Sequence, residues 1–238
     1  MRSLQQLGTI EGCPDCRQLD DSFLSDVSSA TQKGYEAIKT TNSYPEGARL
    51  FGEGEEPHGL FVLCQGRARL SLTSADGRVL ILGIAKPGEA LALNSAVLGT
   101  PYDMTAELID AGRVHFVRRD SFVRFLREHP DACVSVAADL AGNYRSACEQ
   151  LRSLGLCGSA LQKLARLLLD CARDGEPTAR GVRMKQRLTH EQIAQTIGTT
   201  RETVTRALAE FRHRRYADLH GSWLLIQNRD ALGSFVRA

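Results

Sequence analysis

The sequence predicts an α+β chain in three successive parts: a small β-roll, a long helix, and a helix-turn-helix flanked by strands. Three observations carry this. Between Asn42 and Val117, short β-type runs are broken at regular intervals by Gly, Pro and Asp, the pattern of a small barrel or roll. From about Asp131 to Leu154, apolar residues step by four and three along one helical face. From Leu188 to Arg215, two apolar sets at helical spacing stand on either side of Gly198. The chain of 238 residues has room for one large or two small domains. The expected divisions are a lead-in over 1–30, a roll domain over 31–129, a helix over 130–155 and a C-terminal domain over 156–238.

In order, residues 1–30 are polar and rich in Ser and Asp around Cys13-Pro14-Asp15-Cys16. They read as a loosely packed lead-in, with a short helix from Asp20 or Asp21 to Val27. Leu60-Phe61-Val62-Leu63 is one apolar run, and Arg67 to Leu72 alternates cleanly. Asp76-Gly77 is a hairpin signal between that strand and Val79 to Ile84. Pro45-Glu46-Gly47, Gln65-Gly66 and Pro87-Gly88-Glu89 mark further turns. Thr105 to Ile109 and Val114 to Val117 read as closing strands. Asp120 to Glu128 is expected as a helix capped by Asp120 and ended before Pro130.

The long helix carries the stripe Leu140, Tyr144, Ala147, Leu151 and Leu154, the seam of a two-stranded coiled coil. An intramolecular contact would leave the same stripe; its isolation between two domain-like segments favours a dimer. Gly155 to Gly158 reads as a hinge, and Ala160 to Ala172 as a helix backing the helix-turn-helix. Gly175 to Gly181 reads as a polar loop. Arg183 to Lys185 and Trp223 to Gln227 are expected as wing strands, with a turn around His220-Gly221. Asn228 to Val236 is expected as a terminal helix.

In the helix-turn-helix, Thr189 with Gln192 completes a capping box, and Gly198 supplies the positive φ of a sharp turn. Ile193, Ala194, Ile197, Val204, Ala207, Leu208 and Phe211 form the inward faces. Thr200, Arg201, Glu202, Thr205 and Arg206 face away. Arginine offers a donor fork to guanine O6 and N7, glutamate accepts from the cytosine amino group, and hydroxyls reach phosphates. The spacing alone equally suits an ordinary amphipathic helix pair with a solvated charged face. Charge leans toward DNA. Net charge is only +2, yet residues 183–215 hold eight Arg and Lys against three Glu, while residues 1–60 hold ten Asp and Glu against five Arg and Lys.

The run Arg201-Glu202-Thr203-Val204-x-Arg206 after Gly198 resembles the recognition helix of the catabolite-activator/FNR (Crp/Fnr) superfamily of bacterial transcription regulators. The resemblance covers nearly the whole chain, and Gly47, Gly66, Gly77 and Gly88 fall where that family's β-roll turns. It implies a homodimer with an N-terminal cyclic-nucleotide-binding-like β-roll (jelly roll), a long dimerisation helix and a C-terminal winged helix-turn-helix. It also implies a palindromic DNA site with TGTGA-like half-sites, read by Arg201, Glu202 and Arg206. Thr189, Thr200 and Thr205 would hold phosphates, and RNA polymerase would be a partner.

In cyclic-nucleotide-binding members a Gly-Glu pair holds the ribose and an Arg-Ser or Arg-Thr pair holds the cyclic phosphate. Counted from Pro87-Gly88-Glu89 and from the closing strand, those positions fall on Ala92, Leu93, Met104 and Thr105. A buried phosphodiester without a cation is poorly solvated, so the resemblance here implies a roll that does not take cyclic AMP. The FNR branch carries an iron–sulfur cluster. Cys13-x-x-Cys16 resembles the start of its cysteine set; Ser22, Phe23 and Leu24 stand where the third is expected, and His115 takes the roll-cysteine position. No cofactor is expected. A cluster or metal on Cys13, Cys16 and His115, with Asp20 or Asp21, is the alternative, as is simple thiol redox sensing. Cys64, Cys133, Cys148 and Cys171 read as packing residues, and Cys157 as the hinge thiol best placed to report oxidation.

Two other classes compete: a cyclic-nucleotide-binding module without DNA output, and an enzyme. The basic helix-turn-helix argues against the first. No nucleophile elbow, Walker loop, HExxH or carboxylate pair supports the second. The opening MRSLQQLGTIEGC has no apolar signal core and the longest apolar runs are too short for a bilayer, so a cytoplasmic location is expected. Seven cysteines without a signal argue for thiols, not a disulfide framework.

Overall fold

The computed structural model describes residues 24, 26–173, 175–184, 188–220 and 223–237. Cys13, Cys16 and most of the short helix expected over Asp20 to Val27 lie outside the described residues. The chain divides into two compact units, with the boundary after Arg145.

Among the described residues of the first unit the first element is α1 (Ser29–Ile38), a helix the sequence pattern does not announce. Ser28 caps it, its Oγ accepting from Thr31 N at 3.3 Å. Its fully buried residues are only Thr31 and Tyr35, too sparse a stripe to register as periodicity.

The roll follows as β1 (Lys39–Tyr44), β2 (Arg49–Phe51), β3 (Gly59–Gln65), β4 (Ala68–Thr73), β5 (Val79–Ala85), β6 (Ala90–Leu91), α2 (Leu93–Leu98), β7 (Thr105–Leu108) and β8 (Gly112–Arg118). Two antiparallel four-stranded sheets form, ordered β1-β8-β3-β6 and β2-β7-β4-β5. Strand β3 is buried on both faces. Phe61 and Leu63 join a core with Phe51, Tyr102, Leu108 and Val114. Leu60 and Val62 turn the other way, to a second core with Tyr35, Leu93, Phe122 and Phe125. Alternate side chains of one strand thus serve two layers, which is why the run reads as unbroken apolar sequence. A Cβ on Gly59 would collide with the Val117 carbonyl and the Phe116 ring, so the strands meet there at a distance only glycine permits.

Helix α3 (Arg119–Glu128) begins one residue earlier than expected. Arg118 holds the N-cap without a side-chain bond, and Asp120 lies in the first turn, where it complements the helix dipole. The long helix α4 (Pro130–Leu156) runs unbroken for 27 residues. Ala132 and Val136 are buried on the second core, and Leu140 packs partly against it. Asp131 ties α4 to α1, accepting from Ser28 N at 2.8 Å and from Thr31 Oγ1 at 2.7 Å. The Thr31 hydroxyl, then the Ser28 amide, hold that carboxyl well below the usual carboxylate range. Further along, Tyr144 is 73% exposed and Leu151 69% exposed in the single chain.

The second unit contains α5 (Ala160–Arg173), β9 (Glu176–Thr178), β10 (Gly181–Arg183), α6 (His190–Ile197), α7 (Arg201–His213), β11 (Ala217–His220), β12 (Trp223–Ile226) and α8 (Arg229–Arg237). Its sheet is ordered β11-β12-β10-β9. The expected polar loop from Gly175 to Gly181 is therefore in part a strand. No apolar alternation marks β9; its pairing with β10 is reinforced by an Arg183 Nη2–Glu176 Oε2 ion pair at 2.5 Å. The matching wing strand ends at Arg183, and Lys185 lies outside the described residues. So do residues 221–222, between β11 and β12. The core of this unit is Leu164 and Leu168 of α5 with Ile193, Ile197, Val204, Leu208, Phe211, Ile226 and Leu232.

Candidate nucleic-acid interface

Helices α6 and α7 are built by their ends. Thr189 Oγ1 accepts from Gln192 N at 3.1 Å, and Gln192 Oε1 accepts from Thr189 N at 2.9 Å, a reciprocal capping box. Gly198 closes α6 in the left-handed conformation, φ 64°. One residue separates it from Thr200, whose Oγ1 accepts from Thr203 N at 3.3 Å and caps α7. Val204, Ala207, Leu208 and Phe211 then bury one side of α7 against α5 and α6. That burial turns Arg201, Glu202, Thr205 and Arg206 outward, and all four are exposed.

The outward face has a definite electrostatic form. Glu202 stays ionised: its own backbone amide first, then the Thr200 hydroxyl, hold its carboxyl below the usual value, and Arg201 and Arg206 add to this. Among the described residues neither Arg201 nor Arg206 makes a salt bridge; Arg206 Nη2 only approaches Thr203 Oγ1 at 3.4 Å. Two exposed guanidinium groups without a salt bridge among the described residues and a fixed carboxylate, all within the first two turns of a helix, can address base edges. Thr189 uses its hydroxyl oxygen for the cap and makes no donor contact among the described residues. Thr205 differs. Its hydroxyl donates to Arg201 O at 3.0 Å and meets His190 Nδ1 at 2.9 Å. The sequence pattern does not single out His190. Periodicity places it on the first turn of α6 but says nothing of a partner fifteen positions on.

In the roll, the positions counted as ribose and phosphate contacts have other work. Ala92 sits before α2 in the left-handed region, φ 61°. Leu93 opens α2 at 2% exposure, inside the second core. Met104 packs against the first core. Thr105 Oγ1 accepts from Glu53 N at 3.0 Å. His115, on β8 between Thr41 and Val62, is 3% exposed with its ring edge-on to Tyr35. Its Nε2 has no hydrogen-bond partner among the described residues. Also among the described residues, no three His, Cys, Asp or Glu side chains stand together as a metal site. Among the described residues no helix is long and apolar enough to cross a membrane.

A β-roll, a long helix and a capped helix-turn-helix with exposed arginines define a class: transcription regulators that bind DNA through a C-terminal domain. Comparison with known proteins agrees. Residues 41–129 match the cyclic nucleotide-binding domain and residues 162–235 the Crp-like helix-turn-helix domain. A CRP-like cAMP-activated global transcriptional regulator of Mycobacterium tuberculosis is 29% identical over 195 residues, covering 82% of this chain and 87% of that protein. The nitrogen fixation regulation protein FixK of Bradyrhizobium diazoefficiens is 26% identical over 217 residues, 90% of each chain. Among solved structures, FixK2 from Bradyrhizobium japonicum superposes with a TM-score of 0.71 at 26% identity, covering 84% of this chain and 98% of that one. The chain belongs to the Crp/Fnr superfamily of transcription regulators.

Proposed function

We propose that the protein acts as a homodimer that reads an inverted-repeat DNA site, and that its roll does not respond to cyclic AMP. The observation that carries the DNA reading is the outward, exposed pair of guanidinium groups on α7, with Glu202 held ionised beside them. Arg201, Glu202 and Arg206 read base edges. Thr189 and Thr200 hold phosphates at the two helix N-termini, and Thr205 anchors His190 beside them. The dimer reading rests on Tyr144 and Leu151, large apolar side chains exposed on one α4 stripe with Leu140, Ala147 and Leu154. Residues 31–129 then serve as the sensor, 130–155 as the dimer helix and 156–238 as the DNA-binding domain. Half-sites lie one helical turn apart, roughly 34–36 Å. The protein works in the cytoplasm with RNA polymerase and carries out no enzymatic step.

Cyclic AMP needs a cation for its phosphate and polar partners for its ribose. Met104 and Leu93 supply neither, and Leu93 is already enclosed by core side chains. Selection from randomised duplexes tests the DNA reading: an enriched inverted motif is expected, and its absence overturns it. Sedimentation that finds only single subunits at working concentrations overturns the dimer. Titration calorimetry is expected to show no heat with cyclic AMP; micromolar binding refutes that part alone.

A further inference from the structure

We propose that two copies of this chain pair in parallel along α4 with Cys148 on the centre of the seam, so that a hydroperoxide links the subunits through their two Cys148 thiols. This rests on the dimer reading above and fixes which line of α4 faces the second copy. Val134, Ala137, Ala141, Tyr144, Cys148 and Leu151 follow one another by three and four on one unbroken helix, the a and d spacing of a two-stranded coiled coil. The large side chains of this line stand open in the single chain: Val134 is 72%, Tyr144 73% and Leu151 69% exposed. The line is separate from the face that buries Ala132 and Val136 in the chain's own core, and Leu140 leans on that core as well. Beyond Leu140, no described residue of α4 belongs to a core of its own chain. An apolar line of heptad period with nothing of its own chain over it fits a helix of the same period. A second copy brings that helix. Cys148, a half-buried free thiol, sits between Tyr144 and Leu151 on the line.

Pairing by a two-fold axis parallel to the helices sets each seam position against its own copy. Packed helices have axes about 8–10 Å apart, and Cα atoms lie about 2.3 Å from each axis. Facing Cα atoms therefore come to about 4–6 Å, within reach of the roughly 4.4–6.8 Å that a disulfide spans. An antiparallel pair would set Cys148 against a different residue and leave the thiols apart. The chemistry needs only a hydroperoxide. One Cys148 thiolate attacks a peroxide oxygen, the O–O bond breaks, and a sulfenic acid forms while hydroxide takes a proton and leaves as water. The partner subunit's Cys148 then attacks that sulfur, the S–O bond breaks, and a second water leaves. Two thiols lose two electrons and the peroxide gains them. The product is a dimer that no longer comes apart on dilution, because its second subunit is held by a covalent bond.

The test uses the full-length protein, reduced and then treated with hydrogen peroxide, and reads non-reducing gels beside sedimentation. Wild type is expected to form a covalent dimer that a thiol reductant reverses, with Cys148 joined to Cys148 in its peptide masses. Cys148→Ser is expected to sediment as a dimer still, yet to link about tenfold more slowly or less, since the seam holds its thiols at an effective concentration on the order of mM. Cys133→Ser and Cys157→Ser are expected to link as wild type does. In the Cys148→Ser chain, Ala141→Cys, one heptad earlier on the line, is expected to restore the link. Ser146→Cys, exposed on the other side of the helix, is expected not to. A Cys148→Ser protein that links at the wild-type rate overturns the proposal. So does a dimeric wild type that never links, or a Ser146→Cys chain that links as fast as the Ala141→Cys chain. Sedimentation that finds only single subunits of reduced wild type overturns the dimer reading instead, so the two failures are distinct.

Discussion

The two ends of the molecule treat polar positions in opposite ways. On α7, burial of Val204, Ala207, Leu208 and Phe211 leaves Arg201, Glu202 and Arg206 exposed. In the roll, the positions counted from the turn and the closing strand as ribose and phosphate contacts carry Ala92, Leu93 and Met104, and Leu93 is part of the packed interior. One region keeps its chemistry outside the core; the other buries Leu93 within a core and packs Ala92 and Met104 partly against one. A shared fold therefore says where a ligand could be met, and the burial of particular residues says whether anything is left to meet it.

The largest expected effect comes from reversing the roll's choice. Leu93→Glu places an unpaired carboxylate in a core that also holds Leu60, Val62, Val117 and Phe122. Denaturant unfolding should show a loss of about 3–5 kcal/mol. A Glu there that is tolerated and confers cyclic AMP binding would erase the contrast. Next, Arg201→Ala should cost about 1–3 kcal/mol on the selected duplex and relax base preference at one position. Its unfolding midpoint should stay put, because the side chain is exposed. Equal weakening on random DNA would reduce Arg201 to a general electrostatic contact.

Ala92→Gly sharpens the comparison on a smaller scale. A left-handed alanine costs roughly 1–2 kcal/mol, and glycine returns part of that as unfolded-state entropy. A net gain of about 0.5–1 kcal/mol in roll stability is expected; a loss would mean the alanine methyl packs better than its conformation costs. The smallest effect concerns acid. The Asp131 carboxyl is depressed in the folded state by Thr31 and Ser28, so its contribution is present above the unfolded value of about 3.9 and fades as pH falls below it. Asp131→Asn should flatten the fall of the thermal midpoint in that acid range. An unchanged acid profile would assign the sensitivity to other carboxylates.

Much of this was legible in the residues. The roll strands, the long helix and the capping box at Thr189 announce themselves because their signals are local: turn glycines, a four-three stripe, a polar pair three apart. Helix α1 was missed because its fully buried residues are only two. Strand β9 was missed because it is stabilised by pairing and an ion pair instead of alternation. The arginines of α7 were legible through their motif. His190 was not, since its partner Thr205 is reached only through the turn.

Strand β3 leaves a last consequence. Because Leu60 to Leu63 are apolar on both sides, a one-step slip past β8 would still put oily groups in each layer. Hydrophobicity therefore chooses poorly between alignments. What discriminates is steric: with Gly59 opposite Arg118, the missing side chain meets the Val117 carbonyl and Phe116 ring. Shifted by one step, Leu60 or His58 would have to occupy that gap, and neither fits. A single absent methyl thus acts as the index mark that sets the strand's alignment.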